Sequence, residues 1–576
     1  MTIPHRPQFR SPNGARSALL ACVGLLAIAG VLAACRPRFE LPAPQAAAGP
    51  VYSLEVRVRP ADAALDVEGT LTLPADTVAR DSLLVSVSER LAAFDLQLVQ
   101  PAHSGPISVR RLPPPTGDRI EGERRSPRMV IRFHRPVPAG AQAVLRFSST
   151  LSGSTAFLYH VGPGVAFASG WGDRWYPTVD GVYGLGTGPI TVRVPPGWKV
   201  ITGADAVGRP EEEAAGIFRF AQRLQTYFTF VAGPYTIVTS HENVGPRISA
   251  WVLTPRDHTP QFINGAARMV QVLENEFGPS PFGSMALVEV PRSIAQQAGF
   301  NAFSPLKFLV LNSNAFRHPD VKVMYEWLGH EMSHQWFPHV VTFDDRGVEY
   351  FEEALAEYGG IRIVEALAGT ESVRRLRTTG FEFDPIYSAA AYFRLVGAGA
   401  DEPLATMGTG INERNLAYTK GALVIDMLSR EVGSERFRDV LRRLTAGRQL
   451  HSATWREFLD AIDAGAGRKM DWFFDQWLTR TGAPTFEMIW TQDSGVVRGT
   501  ISQRAPFYRA GLRLDAHGAR GERVSQVVDV NGASTAFTID PPFRVVRVEL
   551  DPDYEVLRWT PEFRALADSV SRAGRR

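Results

Sequence analysis

Cysteine is the scarcest informative residue in this sequence. Only Cys22 and Cys35 occur among 576 residues, which excludes a scaffold held together by several disulfide bonds. Lysine is also rare, since five occur and arginine supplies the rest of the 62 basic side chains, against 60 acidic ones. No basic tract and no nucleic-acid-binding motif occurs along the sequence. The charge balance therefore gives no electrostatic basis for a nucleic-acid partner, and we expect none.

Long apolar runs are also scarce, and the longest lies at the N-terminus. It extends from Ala18 to Ala34 and follows three arginines, which is the charged-then-apolar layout of an export signal. The run ends in Leu32-Ala33-Ala34-Cys35, which resembles a bacterial lipobox. The resemblance implies that Cys35 receives a diacylglycerol and becomes the first residue of an exported, membrane-anchored lipoprotein. An uncleaved N-terminal anchor is the alternative, and either form places the chain outside the cytoplasmic membrane.

The rest of the sequence changes character twice. Short alternating apolar runs between turn residues indicate a β-rich region from Val51 to about Ser240, and the same pattern returns after Pro484. Between these regions, apolar side chains recur at intervals of three and four residues, which predicts helices. The predicted helices are 261–277, 318–337, 420–446 and 454–478, with strand-like runs at 285–290 and 308–311. The expected fold class is multidomain α+β.

The segment His330-Glu331-Met332-Ser333-His334 carries the clearest chemical signal. Residues four apart on a helix lie on one face, so His330 and His334 can bind one zinc ion, with Glu331 beside them as a potential base. A catalytic zinc ion needs a third protein ligand and one open position. Glu353 lies in a further helical pattern, residues 348–360, and can supply that ligand. Glu352 and Glu357 are rivals on local grounds, because acidic helix faces are more often solvated.

Four stretches of this sequence resemble the aminopeptidase N family of zinc peptidases, a gluzincin family that includes leukotriene-A hydrolase. They follow the zinc-binding pattern in the family's order and are His334-Gln335-Trp336-Phe337, Glu352-Glu353-Ala354-Leu355-Ala356-Glu357-Tyr358, Tyr418-Thr419-Lys420-Gly421 and Trp472-Phe473-Phe474-Asp475-Gln476-Trp477-Leu478. The resemblance implies one Zn²⁺ per chain on His330, His334 and Glu353. It also implies that Tyr418 stabilises the oxyanion and that the catalytic domain is thermolysin-like.

One family motif is altered. Where the family has Gly-x-Met-Glu-Asn, whose glutamate binds the substrate α-ammonium group, this sequence has Ala298-Gly299-Phe300-Asn301-Ala302. Gly299 and Asn301 are therefore the predicted substrate-binding residues, and the carboxylate is missing. A neutral amide loses a charge-assisted hydrogen bond of about 1.5–3 kcal/mol. Either Glu352 replaces the carboxylate, or the enzyme recognises the substrate N-terminus differently and accepts blocked or longer peptides.

We therefore predict zinc-dependent hydrolysis of peptide bonds, aminopeptidase-like, by a short three-domain bacterial lipoprotein form of the family. The predicted partners are a peptide or protein substrate and a membrane, at the outer membrane or the periplasmic face, and no oligomeric state is predicted. The alternatives are a non-catalytic cell-surface binding protein on a degenerate peptidase scaffold and an epoxide hydrolase. The predicted regions are 1–34 signal peptide, 35–50 lipidated tether, 51–245 N-terminal β-rich domain, 246–481 zinc peptidase domain, 482–562 C-terminal β-sandwich and 563–576 tail.

Overall fold

The computed structural model describes residues 49–101, 105–113, 126–179, 185–239, 246–318, 321–343, 349–380, 388–407, 415–446 and 451–563. These residues belong to one compact unit, Ala46–Arg576. The predicted signal peptide, the lipidation site Cys35, most of the tether and residues 564–576 lie outside the described residues. Within the described ranges, no helix combines the length and the apolar character needed to cross a membrane.

The N-terminal region is rich in β-strands, as its alternating sequence predicts. In β1, for example, Tyr52, Leu54, Val56 and Val58 are buried and the residues between them are exposed. The elements of this region are β1 Val51–Arg59, β2 Ala64–Leu73, β3 Arg80–Ser86, β4 Leu91–Gln100, β5 Ile107–Leu112, β6 Arg128–Val137, β7 Ala143–Ser152, β8 Thr155–Ala156, β9 Tyr159–Gly162, β10 Val165–Ser169, β11 Thr178–Val179, β12 Gly186–Arg193, β13 Lys199–Thr202, β14 Asp205–Ala206, α1 Pro210–Ala214, β15 Ile217–Thr226, β16 Thr229–Gly233 and β17 Thr236–Thr239.

Three sheets of this region share much of one apolar core. Their strand orders are β14-β15-β12-β1-β2-β7-β4, β13-β16-β10-β9-β8 and β11-β3-β6-β5. Most neighbouring strands are antiparallel, whereas β1 and β12 pair in parallel, with Leu54 opposite Ile190. Because successive side chains alternate between sheet faces, one face of each strand can pack inward while the other meets solvent.

The middle region is mostly helical and contains one five-stranded sheet. Its elements are β18 Arg247–Val252, α2 Thr259–Phe277, β19 Ser284–Val290, α3 Arg292–Gln297, β20 Ala302–Phe303, β21 Phe308–Asn312, α4 Tyr325–Ser333, β22 Val341–Phe343, α5 Glu349–Ala368, α6 Thr370–Thr379, α7 Ala389–Gly397, α8 Ala422–Val432, α9 Ser434–Thr445, β23 His451–Ala453, α10 Trp455–Ala466 and α11 Asp471–Leu478. The sheet order is β17-β18-β19-β21-β20, so β20 is an edge strand. Strands β18, β19 and β21 are parallel, and β20 is antiparallel to β21.

The predicted helix over 318–337 is shorter than expected. A 3₁₀ turn at Val321–Met324 precedes α4, which ends at Ser333. Proline disfavours helical backbone in the residue before it, so a helix cannot continue regularly to Phe337 in front of Pro338. The chain after α4 instead forms tighter turns, in which the Gln335 amide donates to the Met332 carbonyl oxygen.

Two other predicted helices are each divided at a glycine. The segment 420–446 breaks between α8 and α9 at Gly433, and the segment 454–478 breaks after α10 at Gly467. Both glycines have positive φ values, 95° and 66°. Glycine adopts this backbone conformation without the steric cost that a Cβ atom brings, so it is a frequent helix terminator. The prediction of one continuous helix across each glycine was therefore wrong.

The C-terminal region contains two antiparallel sheets of three strands. The strands are β24 Phe486–Asp493, β25 Val496–Gln503, β26 Ala510–Gly518, β27 Arg523–Val530, β28 Ser534–Ile539 and β29 Val545–Leu550. The sheet orders are β24-β25-β28 and β27-β26-β29. The structure thus confirms a mixed α/β chain with a β-rich N-terminal region and a helical middle region, whereas the C-terminal β-sandwich stays a prediction.

Candidate metal centre

Helices α4 and α5 pack closely enough to bring the predicted ligands together. A Cβ atom on Gly359 would lie 2.0 Å from Ser333 Oγ, and one on Gly360 would lie 2.8 Å from the backbone oxygen of Glu326. Both distances are shorter than real Cβ contacts, so the two helices can approach this closely only where α5 carries glycine. The paired glycines therefore let α5 lie against the helix that carries His330.

The side chains of His330, His334 and Glu353 meet at one point. The two Nε2 atoms lie 3.0 Å apart, and each lies 3.4 Å from Glu353 Oε2. Ligand atoms about 2.1 Å from a tetrahedral zinc ion lie about 3.4 Å from one another. The separations therefore fit a single ion, and the structure brings the three predicted ligands together as a group that could hold a metal.

The opposite ring nitrogens of the two histidines also have partners. His330 Nδ1 lies 2.6 Å from Glu357 Oε1, and His334 Nδ1 lies 2.8 Å from the backbone oxygen of Phe337. The carboxylate beside His330 Nδ1 and the carbonyl oxygen beside His334 Nδ1 favour a proton on each Nδ1, which leaves each Nε2 able to offer a lone pair to an ion. Glu357, a rival ligand on sequence grounds, thus lies behind His330. Glu353 and Glu357 are four residues apart on one helix, so their side chains lie on the same face. This spacing is the signal in the sequence that both glutamates lie near the histidines.

The charge of the centre favours a cation. Burial alone would lower the pKa of His334, but Glu353 and Glu331, together with the Phe337 carbonyl group, outweigh it and raise that pKa to about 9. The field that stabilises a protonated imidazole would also stabilise a divalent ion. The donor set of two imidazoles and one carboxylate is a zinc set that leaves a position open.

Two predicted catalytic groups border the histidines. Glu331 is buried, and its carboxylate accepts a hydrogen bond from the hydroxyl of Ser304. Tyr418 lies in a π-helical turn, Ala417–Gly421, and its ring centroid is 5.6 Å from that of His330. Such turns occur often at functional sites. Glu331 can therefore accept a proton, and Tyr418 can donate a hydrogen bond, beside the same centre.

Glu352 lies against β22. Its Oε1 atom accepts hydrogen bonds from Thr342 Oγ1 at 2.7 Å and from the Phe343 amide at 3.0 Å. Burial raises the pKa of Glu352 to about 8, although these two donors lower it in part. A buried carboxyl group held in this way is a poor partner for a substrate ammonium group, so the structure disfavours Glu352 as a replacement for the missing carboxylate.

The predicted substrate-binding residues lie at the start of the edge strand. Gly299 has φ +79°, and a Cβ atom there would lie 2.9 Å from Phe157 Cδ2. Asn301 is exposed, and its backbone oxygen accepts hydrogen bonds from the amide and from Nδ2 of Asn312 at 3.0 and 3.1 Å. The backbone of Asn301 is thus fixed by β21, while its side chain stands at the protein surface.

Three functional contacts were not foreseen from the sequence. Ser304 contacts Glu331, His339 Nε2 lies 2.7 Å from the Ser304 carbonyl oxygen, and Gln335 bonds to the same loop. Burial lowers the pKa of His339 to about 4, so the imidazole is neutral at pH 7 and Nε2 donates. The partners are about 30 residues apart in sequence, and no local pattern relates them.

Comparison with known proteins places this centre in a recognised domain. Residues 263–477, which include all three candidate ligands, match the Peptidase family M1 domain. The chain is 24% identical over 319 residues to "Probable aminopeptidase 1" of Saccharolobus solfataricus, covering 51% of this chain and 38% of that protein. It is 24% identical over 395 residues to "Aminopeptidase N" of Streptomyces lividans, covering 64% of this chain and 43% of that protein. It is 21% identical over 462 residues to "Aminopeptidase M1" of Arabidopsis thaliana, covering 75% of this chain and 50% of that protein. The matches thus span half or less of each relative.

Proposed function

Because this chain is an aminopeptidase N-like gluzincin with a peptidase family M1 domain, we propose that it is a zinc-dependent peptidase with altered recognition of the substrate N-terminus. The observation that carries the proposal is the convergence of His330, His334 and Glu353, with separations that suit one tetrahedral ion. The relatives named as aminopeptidases support peptide hydrolysis as the reaction class.

The protein's own groups divide the chemistry among them. A zinc ion held by His330, His334 and Glu353 would supply Lewis acidity to water and to the scissile carbonyl group. Glu331 accepts the proton of the attacking water and then returns it to the leaving amine, so that one water molecule is consumed for each peptide bond broken. Tyr418 donates a hydrogen bond to the oxyanion, a contribution of roughly 3–4 kcal/mol to the barrier for an oxyanion donor.

Asn301 supports the altered recognition of the substrate. The exposed amide can accept a hydrogen bond from an α-ammonium group, but it lacks the charge that a glutamate would offer. Glu352, which could have supplied that charge, is bonded to β22. The enzyme should therefore hydrolyse acyl-blocked peptides at rates comparable to those for the same peptides with a free amine.

The experiment combines metal analysis with paired substrates. We expect about one zinc per purified chain, loss of activity with a chelator, and loss of activity in Glu331→Gln with zinc retained. Absence of stoichiometric zinc, or full activity of Glu331→Gln, would refute the mechanism. A chain that binds zinc but hydrolyses no peptide in the panel would point to the non-catalytic binding protein instead.

A second arm tests the substrate N-terminus. Asn301→Glu should raise the preference for free-amine over blocked peptides by about 10- to 150-fold, the equivalent of a charge-assisted hydrogen bond of about 1.5–3 kcal/mol. Gln297→Glu is the matched control, because it adds the same charge to an exposed residue on α3, outside the edge strand. Strict dependence of the native enzyme on a free α-amine would contradict altered recognition.

We also propose that Cys35 anchors the exported protein to a membrane. The apolar run and the lipobox-like block support this proposal. Cys35→Ser should move the protein from the membrane fraction to the soluble fraction, and unchanged membrane association would contradict lipid anchoring.

We further propose that the two C-terminal sheets form a β-sandwich. Its support is that Ile501 of β25 and Leu512 of β26, in different sheets, are both fully buried in the same apolar cluster.

A further inference from the structure

Side chains attach the loop after the edge strand β20 to α4 and to the turns that follow α4. Ser304 Oγ is within hydrogen-bond distance of Glu331 Oε2, and it lies 2.9 Å from the backbone oxygen of the same residue. Since a carboxylate oxygen and a carbonyl oxygen only accept, the single hydroxyl proton of Ser304 is directed towards Glu331. The contact joins the strand at the substrate edge to the group proposed as the base.

Two further side chains hold the backbone around Ser304. The neutral imidazole of His339 donates from Nε2 to the Ser304 carbonyl oxygen at 2.7 Å. Gln335, which is fully buried, donates from Nε2 to the Pro305 carbonyl oxygen at 3.1 Å and accepts from the Lys307 amide at 2.8 Å. Because these contacts fix the backbone at Ser304, Pro305 and Lys307, the Ser304 hydroxyl is held at a fixed place relative to α4.

We propose that Ser304 is a positioning residue for Glu331: its hydroxyl holds one carboxylate oxygen so that the other faces the attacking water. This inference rests on the proposed function, in which Glu331 is the base. A glutamate carboxylate without such a donor can rotate about its side-chain bonds and sample several orientations. A fixed donor on one oxygen removes that freedom before the reaction begins. Outer contacts of this kind commonly change activity by about 10- to 100-fold when they are removed.

A purely structural role explains the contacts less well. A hydroxyl that only attached the loop to α4 would need just the Glu331 backbone oxygen as its acceptor. The loop is already attached through Gln335 and His339. The additional contact with the carboxylate places a donor at the reacting group, where it affects chemistry more than folding.

The test compares Ser304→Ala with Ser304→Thr and with Ser372→Ala. Ser372 of α6 is the matched control, because its hydroxyl donates at 3.1 Å to the carbonyl oxygen of Ala368, the last residue of α5, and it is partly buried like Ser304. On the full chain we expect Ser304→Ala to lower kcat about 10-fold or more, with KM and bound zinc unchanged. Ser304→Thr should recover most of that loss, because it keeps the hydroxyl. An unchanged kcat, or an equal loss in Ser372→Ala, would overturn the inference.

A second comparison asks whether Ser304 acts through Glu331. In Glu331→Asp the shorter side chain withdraws the carboxylate from the hydroxyl, so adding Ser304→Ala should lower kcat by less than twofold further. A full additional 10-fold loss would show that Ser304 acts independently and would overturn the proposal.

Crystal structures of the native chain and of Ser304→Ala supply a readout that does not depend on activity. We expect the Glu331 carboxylate to be ordered against Ser304 Oγ in the native chain and to rotate or become disordered in the variant. An unchanged carboxylate would overturn the inference even if the proposed peptidase activity failed. Chelator-sensitive activity of the native chain tests the proposed function separately.

Discussion

The contact between His330 and Glu357 leads to a prediction about metal affinity. Glu357→Gln keeps the size of the side chain and one acceptor oxygen, but it removes the negative charge 2.6 Å from His330 Nδ1. The carboxylate is almost fully buried, with 1% of the side chain exposed, so solvent screens the interaction little. We expect the substitution to weaken zinc binding without removing a ligand.

The magnitude follows from the geometry. A divalent ion on His330 Nε2 would lie about 7 Å from the singly charged Glu357 carboxylate. Coulomb's law at an effective dielectric constant of about 20 then gives an attraction of roughly 5 kcal/mol between the two charges, which is an upper limit for the loss in zinc binding. Removing a partner behind a ligand histidine commonly costs 10- to 100-fold in metal affinity, or about 1.4–2.7 kcal/mol. We therefore expect a rise in the zinc dissociation constant of about 10- to 100-fold.

The assay is competition for zinc against a chelator of known affinity at pH 7.5. Glu352→Gln is the control on the same helix, since Glu352 is partly buried and bonds to Thr342 and Phe343 of β22 instead of an imidazole. Glu352→Gln should bind zinc within about threefold of the native chain. A native-like zinc affinity in Glu357→Gln, or equal weakening in both variants, would refute the reasoning.

Three further predictions concern stability and rate. Asp426→Asn should cost about 3–5 kcal/mol in the free energy of unfolding, measured with urea, because it leaves the buried guanidinium group of Arg377, now 2.8 Å from Asp426, without its counter-charge. Burial raises the pKa of Asp426, but Arg377 and a second arginine lower it from 3.8 to about 2. The corresponding stability, on the order of 2 kcal/mol, is present above pH 4 and is lost as the pH falls through 2, and it should be absent from the acid titration of Asp426→Asn. Tyr418→Phe should lower kcat by about 100- to 1,000-fold with KM little changed, and an unchanged kcat would exclude the oxyanion role. Gly299→Ala should cost about 1–2 kcal/mol in thermal or urea unfolding, because φ is +79° and the new Cβ meets Phe157; native stability would contradict this.

Much of the candidate centre was readable from short-range spacing. His330 and His334 are four residues apart, and one helical turn brings such residues to the same face whatever the rest of the fold. The alternation of buried and exposed residues in β1 likewise follows from strand geometry. Gly433 and Gly467 are residues of a type that often ends helices, a signal that apolar periodicity alone does not contain.

The choice among three glutamates on one helix needed the packed structure. Glu352, Glu353 and Glu357 all lie on α5, and the resemblance alone singled out Glu353. Adjacent helix positions point about 100° apart, so packing against α4 and β22 separates their roles. Glu353 faces the two histidines, Glu357 supports His330, and Glu352 bonds to β22.

The sequence by itself determined the elements whose partners lie within a helical turn or a strand: the paired histidines and the β-rich and helical regions. Only the tertiary structure decided which groups surround Glu331. Ser304 lies 27 residues before Glu331, and His339 bonds to Ser304 across 35 residues. Covalent geometry fixes the separation of neighbours in a helix, whereas contacts across such distances depend on the path of every intervening loop and on close packing, which no local pattern encodes.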